Sequence, residues 1–208
     1  INFEKYIDHA INYPILFIKK KGKYHSPNGQ TFNDFLNGNL NFFKGEKPTL
    51  EDFENHLGTI FTEIRLKQVI EFRSLDTCNF GCICNGPSFF TGLIYGSIDE
   101  TYEIIKNWRK EEVMQAYLNA PKLGLNATLE GKKLIDWARI FFDLSKKGLE
   151  KRNEVNKSGK NETIYLKHIE EIIESKKTRA EMLIEQFNKT KNLNFLVNHG
   201  KNFSYSGF

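Results

Sequence analysis

The segment RLKQVIEFRSLD, Arg65 to Asp76, alternates in character over its whole length. In an extended chain Arg65, Lys67, Val69, Glu71 and Arg73 point to one side, and Leu66, Gln68, Ile70, Phe72 and Ser74 to the other. One face is then mostly apolar, and the opposite face carries two arginines, a lysine and a glutamate. The pattern predicts a strand over residues 65–76, with Glu71 and Arg73 facing a cleft. A solvated strand face would alternate in the same way, so it is the order of the charges that needs a reason.

The flanking sequence fixes the fold class. YPILFIKKKGKYHSPNG reads as two short extended runs turned at KKG, where Gly22 supplies a positive φ. TFNDFLNG reads as a short helix closed by Gly38. In PTLEDFENHLGTIF, Thr49 and Asp52 have capping-box spacing, and Leu50, Phe53, Leu57, Ile60 and Phe61 recur at helical intervals. From Ser97 onwards the periods are helical. SIDE reads as a further capping box, followed by a stripe of Ile98, Tyr102, Ile105 and Trp108. Leu134, Ala138, Phe141 and Leu144 mark one face of the next long helix, whose last turns hold Lys146, Lys147, Lys151 and Arg152. NEVNKSGKNE is a loop, two more helices follow, the second opened by TRAE at Thr178, and NHGKNFSYSGF shows no period. Strands in front and helices behind, without βαβ alternation, predict an α+β fold. The expected layout is one domain, strand-rich over 1–96 and helical over 97–190, with a tail over 191–208.

Composition removes several function classes. A net charge of +4, with thirty basic residues interleaved among twenty-six acidic ones, lacks the basic stripe of a nucleic-acid binder. No apolar run approaches a membrane span and no signal peptide is evident, so a cytosolic protein is expected, with no membrane partner. The chain begins at Ile1 rather than methionine, which predicts a fragment or a processed product. Cys78, Cys82 and Cys84, spaced C-x3-C-x-C without a fourth cysteine, are expected to be reduced and metal-free. No Walker loop or G-x-G-x-x-G is present. Trp108 and Trp137 sit on apolar stripes and read as core.

With these residues in view, IEFRSLD resembles the E-x-R strand of glutamate–cysteine ligases and, more distantly, of glutamine synthetases. YIDHAINYPILFIKKKGKY, GQTFNDFLNGNL, PTLEDFENHLGTIFTEIRLKQVIEFRSLD, PSFFTGLIYGS, LIDWARIFFDLSKKGLEKR and TRAEMLIEQF resemble, in the same order, the C-terminal half of the plant-type and proteobacterial ligases. HLGTIFTEIRLK is the most specific block. The resemblance implies antiparallel strands forming part of a glutamine synthetase-like active-site sheet, followed by a helical layer. It implies ATP-dependent joining of glutamate to cysteine through a γ-glutamyl phosphate, the first step of glutathione biosynthesis, with Mg²⁺ as cofactor and ATP as co-substrate. It also implies roles: Glu71 as a metal ligand, Arg73 as a phosphate or transition-state contact, Lys67 with Arg73 in holding the nucleotide, and Arg65 as a further anion contact. Arg65 is equally suited to pairing with Glu63 or Asp76.

The departures from the family are specific. Thr62 stands where relatives read proline in FPEVRLK, SLD replaces GAD, Gly96 replaces an acid, and His9 replaces the tyrosine of VDYAL. The cysteines of the plant enzymes' redox switch have no counterpart in YHSPNG or LNFFKG. A full-length member is about twice as long, and its N-terminal half supplies further glutamates and arginines. The expected partner is therefore a missing N-terminal half, beside glutamate, cysteine and ATP. Two function classes follow: a ligase, split or truncated, and a non-catalytic remnant or interaction domain that keeps the fold alone.

Overall fold

The computed structural model describes residues 2–76 and 82–201. The chain divides into two compact units, Ile1–Asp76 and Thr77–Phe208. Mixed helix and antiparallel strand, as the periodicities predict, is what both contain. Among the described residues the strands pair only two by two, in three separate hairpins.

In the first unit α1 (Phe3–Ile11) starts at Asn2, whose side chain accepts from the Lys5 amide. Strands β1 (Ile18–Lys20) and β2 (Lys23–His25) pair antiparallel, Ile18 opposite His25. Lys21 and Gly22 turn between them with φ of 49° and 74°, the left-handed pair that a two-residue hairpin needs. Helices α2 (Phe32–Leu36) and α3 (Leu50–Leu57) both open on complete capping boxes, Thr31 with Asp34 and Thr49 with Asp52. Asp52 also takes the Lys20 ammonium at 3.1 Å, tying the start of α3 to the first hairpin. Ile15, Ile18, Phe32, Phe35 and Leu40 form the core of this unit. The last hairpin, β3 (Ile64–Leu66) with β4 (Ile70–Phe72), completes it.

His56, on the last turn of α3, is 2% exposed and lies flat against Phe32, centroids 4.9 Å apart. Its Nε2 pairs with the Ala10 carbonyl at 2.8 Å, while Nδ1 is buried and has no hydrogen-bond partner among the described residues. Burial pushes its pKa below the usual imidazole value, although the Ala10 contact works the other way. The folded state therefore holds His56 neutral where the unfolded chain would take up a proton. That contribution is intact above about pH 6.5 and is lost as the pH falls below it. Melting of the first unit is expected to move to lower temperature between pH 7 and pH 5. His56→Gln should flatten the part of that slope which follows the imidazole; an identical slope in the mutant would show that His56 does not cause it.

In the second unit α4 (Asn85–Thr91) widens into a π-helical turn over Gly92–Gly96. Then come α5 (Ile98–Ile105), α6 (Lys110–Leu123), the two-residue strands β5 (Thr128–Leu129) and β6 (Lys132–Lys133), and the long α7 (Leu134–Arg152). Helices α8 (Lys167–Ser175), α9 (Arg179–Thr190) and α10 (Asn194–Lys201) follow, the end of α10 running into the NHGKNFSYSGF stretch that shows no sequence period. The core is Ile135, Phe142 and Leu149 of α7 with Leu166 and Ile173. Along α7 the buried row is Ile135, Phe142, Ser145, Gly148 and Leu149, one position round from the apolar face read in the sequence. The cause is the π turn. Gly92, Gly96 and Gly148 carry no Cβ, so its backbone lies directly on α7, and Ser145 donates to the Phe89 carbonyl at 2.9 Å.

Two readings of this half change. SIDE is not a capping box: Ser97 makes no cap bond and instead donates to the Leu144 carbonyl on α7 at 3.0 Å. The α5 stripe of Ile98, Tyr102 and Ile105 faces outward, and only Trp108 turns in, edge-on to Trp137 with centroids 5.1 Å apart. The cysteine expectation is also corrected. Cys82 is disulfide-bonded and Cys84 is a free thiol, while Cys78 lies outside the described residues. Reduced thiols follow from an assumed compartment and not from geometry, which is why that reading fails. Among the described residues no helix is long and apolar enough to cross a membrane.

Candidate functional site

Residues 65–76 are not one strand. The chain turns back at Lys67–Val69, where the Lys67 amide donates to the Val69 carbonyl at 3.1 Å. Folding the segment on itself gives Ile64, Arg65 and Leu66 partners in Phe72, Glu71 and Ile70, so the backbone groups of a lone strand are satisfied. Residues opposite one another on antiparallel strands share a face. Arg65, Glu71 and Arg73 thus remain together after the turn, as a continuous strand would also have kept them.

Their geometry is tight. Arg65 grips one Glu71 oxygen, Oε2, with Nε at 2.9 Å and Nη2 at 2.7 Å. Arg73 Nη1 holds the other, Oε1, at 2.9 Å. The hydrogen bond from Arg65, with that from Arg73 and the two positive charges, holds the Glu71 carboxyl below the usual carboxylate range. Arg65 also donates from Nη1 to the Gly58 carbonyl beyond the C-terminus of α3, where a cation suits the helix dipole. Its side chain is 13% exposed against 40% for Glu71 and 30% for Arg73. Arg65 is therefore the fixed member of the trio, and Arg73 the more accessible of the two arginines. Its partner is Glu71, not Glu63.

Lys67 does not join the cluster. It occupies the exposed turn, and among the described residues it forms no ion pair. Two residues that the sequence reading passes over do belong here. Tyr6 of α1 accepts the Leu66 amide on its hydroxyl at 3.0 Å, and His9 lies beside it and Tyr13 on the same helix, centroids 6.4 and 5.5 Å away. Phe61 lies under both guanidiniums, their central carbons 5.9 Å (Arg65) and 5.2 Å (Arg73) from its centroid. Its apolar spacing with α3 hides that role, although Gly58 already signals that the helix has ended.

Two cations around one carboxylate leave a net charge of +1 on this face, which suits an anion. They do not by themselves suit a divalent metal. Both Glu71 oxygens are engaged, and among the described residues no three His, Cys, Asp or Glu side chains are placed to hold an ion.

A family profile described as Glutamate-cysteine ligase family 2 matches residues 1–199. The chain belongs to this family. Over 187 residues, 89% of this chain, it is 37% identical to a protein of Solanum lycopersicum named Glutamate--cysteine ligase, chloroplastic. It is 35% identical to the proteins of that name from Nicotiana tabacum and Arabidopsis thaliana. The aligned part is 35% of the length of each of these three relatives, so the chain spans about a third of them. Their names also overturn the expectation of a cytosolic protein: all three of these relatives are called chloroplastic.

Proposed function

We propose that this chain is part of an ATP-dependent ligase that joins glutamate to cysteine, with the β3–β4 hairpin in its phosphoryl-transfer site. The observation that carries the reading is the Arg65–Glu71–Arg73 trio on a chain of this family. In the reaction, the glutamate γ-carboxylate attacks the terminal phosphorus of ATP and expels ADP. The cysteine amine then attacks the acyl phosphate carbonyl, loses a proton and expels phosphate. Arg73 meets the charge of the moving phosphoryl group with the N–H groups it does not give to Glu71. Arg65, held by Gly58 and Glu71, fixes Glu71 and through it Arg73. Lys67 reaches the nucleotide from the turn. A Mg²⁺ brought in with the nucleotide would neutralise phosphate charge there; Glu71 would help to hold it only by giving up one of its two arginine contacts, with the other ligands supplied by further chain.

The same reading makes the hairpin part of a larger active-site sheet. In support, Ile64 and Ile70, on the face opposite the arginines, are more than half exposed, as is Ile98 on α5. Apolar surface of this kind suits burial by further chain.

The reading is tested with ATP, Mg²⁺, glutamate and cysteine. The 208-residue chain alone is expected to form no γ-glutamylcysteine, because ATP and two carboxylates bring more negative charge than two arginines can balance. A longer polypeptide carrying the chain is expected to form it, followed by mass spectrometry. If that longer protein makes no product either, the chain is an interaction domain that has kept only the fold. Full activity from the chain alone would mean that the site is built elsewhere in it.

A further inference from the structure

We infer that Phe61 is a positioning residue of this anion site: its ring carries the Arg65 and Arg73 guanidiniums and sets the direction in which Arg73 presents its free edge. The inference rests on the proposed reading of the hairpin and adds to it a residue that carries no charge.

The neighbours of Phe61 explain why the ring is there. Ile60 is fully buried and anchors the backbone just after α3. The next side chain is thereby turned outward, and Phe61 is left 59% exposed on the face where the charges lie. A phenyl so exposed contributes little by burial. Its face, however, is electron-rich, and a guanidinium centre within about 6 Å of the centroid is held by it. Both arginines meet that condition.

The two kinds of contact restrain different motions. Glu71 holds the guanidiniums at their edges, Arg65 on Oε2 and Arg73 on Oε1. Edge contacts alone leave the plane of Arg73 free to swing about its single bond to Glu71. The ring beneath removes that freedom. Among the described residues Arg73 spends only Nη1 on Glu71, so Nε and Nη2 remain, and these are the paired donors that grip a phosphate at two oxygens. Phe61 thus fixes beforehand an orientation that the anion would otherwise have to impose on binding.

The test uses the 208-residue chain with pyrophosphate as the probe, titrated by calorimetry at low ionic strength. Phe61→Leu, which keeps bulk but loses the π face, is expected to weaken binding about fivefold. Phe61→Tyr, which keeps the face, should bind within about twofold of the parent. Arg73→Ala should lose binding by about tenfold or more. In nitrogen-15 spectra the Arg73 Nε–H should become more mobile in Phe61→Leu and not in Phe61→Tyr, while the hairpin amides stay in place in both. If Arg73→Ala loses binding but Phe61→Leu binds like the parent, the role given to Phe61 is wrong and the anion site stands. Loss of binding in both Phe61 variants would also reject it, since the π face would then not be the cause. If the parent does not bind pyrophosphate, or Arg73→Ala binds equally well, the anion reading itself fails and this inference goes with it.

Discussion

On the proposed reading, Arg73→Lys in a longer polypeptide that carries this chain and forms γ-glutamylcysteine is expected to cut turnover by about 10²- to 10³-fold, the usual effect of removing one well-placed donor from a developing charge. Lysine keeps the positive charge, so ground-state attraction of the nucleotide changes less than turnover does. What is lost is the planar fork. Glu71 keeps its grip on Arg65 in the mutant, because the two arginines use different oxygens. The melting temperature should therefore stay close to that of the parent. Turnover equal to the parent's would remove Arg73 from the mechanism, and a large drop in melting temperature would show a structural role instead.

Gly148→Ala is expected to produce the largest loss of stability. Two effects oppose each other. Alanine is the better helix former by about 0.8–1 kcal/mol, and position 148 lies inside α7. A Cβ there, however, would overlap the Gly92 carbonyl and crowd the Ser97 hydroxyl, and neither is the far end of a flexible side chain. Overpacking against such groups costs about 1–3 kcal/mol or more, and here the clash falls on backbone, at the upper end. The clash should win by about 2 kcal/mol, which for a chain of this size lowers the melting temperature by roughly 4–8 °C. Lys146→Ala, on the exposed side of α7, is the control and should change little. A melting temperature for Gly148→Ala equal to or above the parent's would mean that α7 and the π turn separate more easily than their contact suggests.

Features decided by neighbours in sequence are legible without the structure. The Thr49–Asp52 and Thr178–Glu181 boxes form as their spacing says, because each is closed within four residues. The KKG turn is equally local. Ser97 misleads because its hydroxyl finds a carbonyl 47 residues away, and no capping rule weighs that competitor. The buried row of α7 is displaced for a similar reason: Ser145 and Gly148 are inside through close backbone contact, not hydropathy. The hairpin is hidden because Lys67, Gln68 and Val69 include no glycine, proline or asparagine. The grouping of Arg65, Glu71 and Arg73 is nonetheless readable, since the turn at 67–69 has an odd number of residues and so keeps evenly spaced residues on the face that a continuous strand would give them. Phe61 is not readable, because its spacing also fits the apolar stripe of the helix before it.

Helix α3 is tied at both ends. Near its N-terminus Asp52 holds Lys20 of the first hairpin, and beyond its C-terminus the Gly58 carbonyl holds Arg65 of the last. Eight residues of helix make a rod of about 12 Å. Mechanically, α3 is a strut between the two hairpins, and a push on either is carried along a stiff axis to the other. Strain at the exposed KKG turn would therefore be felt at Arg65, the member of the charged trio with the least room to give way.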